Sequence, residues 1–88
     1  MKLWRIYTED KNRERLLENI SAGYFDGFTV IESTGYWKGQ REKSIIIEIA
    51  CDYQEKIYSL AECIRVFNNQ EAVMVVDPFN KVEFISGN

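Results

Sequence analysis

This chain predicts a small α+β domain, and three observations carry that reading. Ile57, Leu60, Ala61 and Ile64 recur at intervals of three and four, the stripe of an amphipathic helix. Phe28 to Trp37 and Lys43 to Ala50 are two strand-like runs joined by a short polar stretch, Lys38 to Glu42, of hairpin length. No linker, repeat or low-complexity segment interrupts the 88 residues, so 1–88 is a single domain.

The first strand is expected over Lys2 to Thr8, where charged or polar residues alternate with large apolar ones such as Trp4 and Ile6. Asp10, with Thr8 as rival, is the candidate N-cap of a first helix whose apolar stripe is Leu16, Leu17 and Ile20. Ser21 to Gly27 closes that helix, with Tyr24 and Phe25 folding back over the core. After the hairpin, Asp52 and Glu55 have capping-box spacing at the start of the second helix, and Asn68 and Asn69 stop it. Ala72 to Val76 is a short apolar strand, Asp77 to Asn80 a turn, and Lys81 to Ile85 a final strand. The C-terminal Ser86, Gly87 and Asn88 should fray. The order is that of a ferredoxin-like βαββαβ sandwich with a short extra C-terminal strand.

Two helices cover one face of such a sheet, so a monomer should show polar residues on the other. It does not read that way. Ile45, Ile47 and Ile49 occupy one parity of the third strand, while Ile46 and Ala50 accompany Glu48 on the other. Ala72 to Val76 is apolar on both sides. Burial against further copies of the chain accounts for this, and a homo-oligomer, a trimer above all, is the expected state. Aromatic residues from loops covering that face would be the monomeric alternative.

Composition removes several classes of function. A formal charge of −3 and a pI near 4.9 argue against broad nucleic-acid binding, which rewards basic stripes. No apolar run approaches the roughly 20 residues that span a bilayer, so no membrane partner is expected. Cys51 and Cys63 lack CxxC spacing and the chain has no histidine, so no zinc site assembles within one subunit and no cofactor is implied. With strand residues directly after Met1 and no signal peptide, the expected location is the cytoplasm, with free thiols.

The stretch Ser33-Thr34-Gly35-Tyr36-Trp37-Lys38-Gly39, then Glu42 and Ser44 to Ile49, followed after the second helix by Asn68 to Val73, resembles the trimeric PII and CutA-like ferredoxin-like proteins. The likeness covers roughly half the chain and is closest to the CutA-like branch. It implies sheets packed face to face about a threefold axis and small anionic ligands held in clefts between subunits. The chain departs from that pattern after Trp37, where the connection is too short for a long regulatory loop, and in having no histidine.

The best candidate site is Gly35 to Arg41. Gly35 and Gly39 let a backbone approach a ligand, Tyr36 and Trp37 offer flat faces, and Lys38 and Arg41 offer charge-assisted bonds to phosphate or carboxylate. An ordinary hairpin with a core tryptophan and two solubilising cations fits the same residues. Arg5, among apolar residues of the first strand, either projects into a cleft or snorkels at the surface. Asn69, Gln70 and Glu71 could read a base or ribose edge, or simply form a helix end and turn. Glu9 with Asp10, and Glu14 with Glu18, read as helix-start charges and a solvated face, and Cys63 as a packed, inert thiol. With no imidazole and no nucleophile motif, the expectation is a protein without enzymatic activity that captures a small anionic, nucleotide-like ligand between subunits. One form of it would be a viral sponge for a signalling nucleotide. The alternative is an interaction module using its hairpin tip and sheet edge.

Overall fold

The computed structural model describes residues 1–22 and 25–87. In chain order the elements are β1 (Lys2–Glu9), α1 (Arg13–Ser21), β2 (Phe28–Trp37), β3 (Gln40–Cys51), α2 (Gln54–Phe67), β4 (Ala72–Val76) and β5 (Val82–Ser86). The strands form one sheet ordered β2-β3-β1-β4-β5, antiparallel at every junction. A five-stranded antiparallel sheet with two helices is an α+β architecture compatible with the ferredoxin-like sandwich that the sequence predicts.

Side chains alternate between the two faces of a strand, and that alternation sorts core from surface. Trp4 and Ile6 of β1, Ile45, Ile47 and Ile49 of β3, and Val73 and Val75 of β4 are buried in one cluster with Leu16, Ile20, Ile57, Ala61 and Ile64 of the helices. Trp4 has no unmet donor there, because its Nε1 donates to the Cys51 carbonyl at 3.1 Å. Both helices therefore lie on one side. The opposite face carries Leu3, Ile31, Ile46, Met74, Val82 and Phe84, of which Leu3, Ile31, Val82 and Phe84 are exposed. Phe25 packs at the edge of the core; Tyr24 and Asn88 lie outside the described residues.

Several local expectations are corrected. α1 begins after Asn12, which adopts a left-handed conformation (φ 52) and makes no side-chain cap bond. Asp10 instead accepts from Arg13 Nε at 2.9 Å, and the guanidinium beside it holds its carboxyl below the usual range. The N-cap of α2 is Tyr53, also without a side-chain bond, while Asp52 faces the terminal amine at 3.8 Å. Cys63 is exposed rather than packed, and Cys51 is buried; both thiols are free.

The hairpin is tighter than expected. Trp37 pairs with Gln40, leaving a turn of Lys38 and Gly39, with φ of 51° and 79°. Positive φ at both central residues matches the right-handed twist of the strands, and glycine takes it without strain. Gln40, Arg41 and Glu42 consequently belong to β3, not to a loop. The end of α2 is the other junction that matters. Asn69 N–H donates to the Val66 carbonyl at 3.2 Å and Gln70 N–H to the Arg65 carbonyl at 2.9 Å, with Asn69 left-handed (φ 54). This paired closure stops the helix and turns the chain sharply into β4.

Candidate functional site

A cavity of about 500 Å³ opens on the helix-free face, between the β2–β3 hairpin and the corner from α2 to β4. Register explains its membership. Glu9 of β1 lies opposite Ser44 of β3, and Glu42 lies opposite Gly35 of β2, so Glu9, Glu42, Ser44 and Gly35 share this face. Tyr7 and Met74 are partners across β1 and β4, and Met74 and Phe84 across β4 and β5, giving an apolar floor. A methyl group at position 35 would meet Ser44 Cβ at 3.4 Å, so glycine there keeps the floor open.

The hairpin bends over this floor. The Trp37 ring lies 5.9 Å from that of Phe84, and its Nε1 donates to Glu71 at 3.4 Å. Lys38 Nζ reaches both Glu71 carboxylate oxygens, at 3.1 and 3.2 Å. Below the corner, Thr8 Oγ1 is hydrogen-bonded to Gln70 Oε1, Asn68 Nδ2 donates to the same oxygen at 2.9 Å, and Gln70 Nε2 donates to the Ala72 carbonyl at 3.2 Å. Asn68 is buried, and its Oδ1 has no partner among the described residues. This network fixes Gln70 at the cavity wall.

The charged lining residues are Glu9, Glu42 and Glu71, all acidic. Lys11 lies 2.8 Å from Glu9 and holds its carboxyl below the usual range, and Lys38 does the same for Glu71. Glu42 differs. Burial raises its pKa, and the neighbouring Glu9 carboxylate adds to the effect, because a second negative charge is costly there. Two neighbouring carboxyls with opposed shifts, Glu9 lowered and Glu42 raised, make the chemically distinctive feature of the cavity.

Among the residues singled out from sequence, Tyr36, Trp37, Asn69 and Gln70 line the cavity. Lys38 sits at its rim through Glu71, and Gly39 at the hairpin tip. Arg41 faces Tyr36 across the hairpin and is exposed. Arg5 is on the helix-free face, but its Nε is bound to Glu48 at 3.0 Å and it is not part of the lining. The cations expected to bind an anion are thus absent from the wall or already paired, and the lining charge has the opposite sign. Trp37 is not a core residue; it is exposed, and its ring packs at a 46° tilt against Phe84 on the open face. Glu9 and Glu42 are hidden in the sequence because one reads as a helix-start charge and the other as part of a loop. Extending the alternation Glu42, Ser44, Ile46, Glu48 back through β3 is the signal that places Glu42.

No group of three or more histidine, cysteine, aspartate or glutamate side chains suited to a metal ion occurs among the described residues. No helix among them is long and apolar enough to cross a membrane. No family model matches the chain, and no curated protein matches it. A solved structure does: a phage SAM lyase in its apo state, 17% identical, superposes with a TM-score of 0.68 over 98% of this chain and 89% of its own. The likeness fixes the fold. It also overturns the expectation of a protein without enzymatic activity, since the solved structure sharing this architecture from end to end is that of an enzyme.

Proposed function

We propose that this protein is an enzyme that binds S-adenosylmethionine (SAM) or a closely related sulfonium in the cavity on its open sheet face and cleaves a carbon–sulfur bond. The observation that carries the reading is the lining itself: three glutamates, no cation, and the aromatic residues Tyr7, Trp37 and Phe84 on the open face. A sulfonium nucleoside is a cation with a flat base. Aromatic faces attract the one and stack the other, and carboxylates supply the counter-charge. The likeness in fold to a phage SAM lyase supports the choice of SAM among such cations.

The chemistry asks little of the protein, which is why the absence of histidine is no obstacle. When the carbon–sulfur bond breaks, its electron pair returns to sulfur and a neutral thioether leaves. The carbon is completed from within the substrate, either by the pair of an adjacent C–H bond, whose proton passes to a carboxylate such as Glu42, or by the substrate's own carboxylate. In both cases positive charge disappears from sulfur. A site that removes water from the sulfonium against Trp37, Met74 and Phe84 favours that change, because water stabilises the charged ground state more than the charge-dispersed transition state. Incubation with SAM should yield a thioether nucleoside detectable by mass spectrometry, and SAM should raise the melting temperature. No product and no shift at millimolar SAM would overturn the proposal.

The reading includes self-association, as the PII and CutA-like resemblance implies, with a trimer as the simplest assembly. Its support is the exposed apolar residues spread over the helix-free face, Leu3, Ile31, Val82 and Phe84, of which Phe84 also lines the cavity. Ile31 projects from β2, at the edge of the sheet, opposite Ile46. Ile31→Asp is expected to convert the oligomer to a folded monomer in native mass spectrometry with unchanged circular dichroism. A wild-type chain that is monomeric at micromolar concentration would refute the assembly.

A further inference from the structure

The Lys38–Glu71 pair spans the mouth of the cavity from the hairpin to the corner before β4, and three features mark it as more than a surface salt bridge. The lysine is delivered by a turn with no slack, since Lys38 and Gly39 alone connect Trp37 to Gln40. The carboxylate has a second donor, because Trp37 Nε1 also donates to it at 3.4 Å from the same hairpin. Both side chains are about two-thirds exposed (66% and 65%), so water screens the pair and separating it costs the fold little.

We infer that this pair is the receptor for a zwitterionic α-amino-acid group, with Glu71 taking the ligand's ammonium and Lys38 its carboxylate. The assignment rests on the reading of the cavity as a SAM site and names the part of the ligand that the hairpin recognises. An α-amino acid carries one positive and one negative group on a single carbon, the complement of adjacent Lys38 and Glu71. Binding exchanges one ion pair for two without leaving an unpaired charge in the site. A cation lacking the carboxylate would displace Lys38 and give it nothing in return; a neutral nucleoside would leave the pair closed. The rim therefore selects for the head group, while the aromatic rings hold the nucleoside.

Two inert probes separate these contributions: S-adenosylhomocysteine, which has the head group and a neutral sulfur, and methylthioadenosine, which lacks the head group. Calorimetry on the wild type should give tighter binding of the first. In Lys38→Met and in Glu71→Gln, affinity for S-adenosylhomocysteine should fall roughly tenfold while that for methylthioadenosine stays within about twofold. Both substitutions lie at an exposed rim, and unchanged thermal melts of the free variants check that they fold. Equal losses for the two probes, or an unchanged preference for S-adenosylhomocysteine, overturn the assignment and leave the SAM site standing. A wild type that binds neither probe and does not consume SAM overturns both readings together.

Discussion

Ile47→Ala should lower the free energy of unfolding by about 3–4 kcal/mol, read from the urea midpoint at constant slope. Ile47 is fully buried on β3, opposite Ile6 of β1 and Val30 of β2, beneath the helices. Removing its outer carbons loses both transfer free energy and packing, and a sheet held by neighbours on both sides has little freedom to collapse into the space. In a domain this small, where total stability is on the order of 5–10 kcal/mol, that is a large fraction. Ile46→Ala is the internal control. It differs by one position but points to the helix-free face and is only half-buried, so in the monomer it should cost about 1 kcal/mol or less. If the open face is covered by other copies, the cost of Ile46→Ala will grow with protein concentration while that of Ile47→Ala will not. Equal, concentration-independent losses would contradict the division into a core face and an open face.

The same pair of residues explains what can be read from sequence. Period-two alternation in Ser44 to Ala50 separates Ile45, Ile47 and Ile49 from Ile46, Glu48 and Ala50, and the structure turns the first set toward the helices, where a strand slipped by one position would expose every one of them. The stripe Ile57, Ala61, Ile64 is legible for the same reason. Helix starts are not. Asp10 and Asp52 have the right chemistry for caps, but Arg13 and the terminal amine offer them charged partners, and the backbone begins each helix two residues or one residue later. The cavity is half legible. Trp37, Asn69 and Gln70 stand out as polar or aromatic groups near chain reversals, whereas the sign of the site runs against what the sequence suggests. Lys38 and Arg41 are prominent in sequence, but what decides the charge is the register that sets Glu9 diagonally across from Glu42, and the long-range contact that sets Glu71 against Lys38. Pairings separated by more than thirty positions leave no local trace.

Glu42→Gln should weaken binding of a cationic ligand by roughly ten- to hundredfold while leaving a neutral thioether analogue unaffected. Glu42 lines the cavity and makes no ion pair among the described residues, so its charge is the one held in reserve. Its pKa is raised by burial and by Glu9, which means that the free protein keeps the Glu42 proton to a higher pH than an ordinary glutamate would. A sulfonium or ammonium brought beside it favours the ionised form and lowers that pKa, so binding releases protons at any pH where free Glu42 is still partly protonated. The sign follows: protons compete with the ligand, affinity should rise with pH through the raised pKa of free Glu42, and it should level off above it. An uncleavable analogue with an ammonium in place of the sulfonium allows this to be measured without turnover, and paired titrations in two buffers of different ionisation heat count the protons released. Glutamine keeps the shape and can still donate to Glu9, so the variant should fold normally, lose the affinity, and lose the pH dependence on that limb. A variant that binds the cation as tightly as the wild type, with the same pH profile, would remove Glu42 from the site and with it the main argument that the cavity is built for a positive charge.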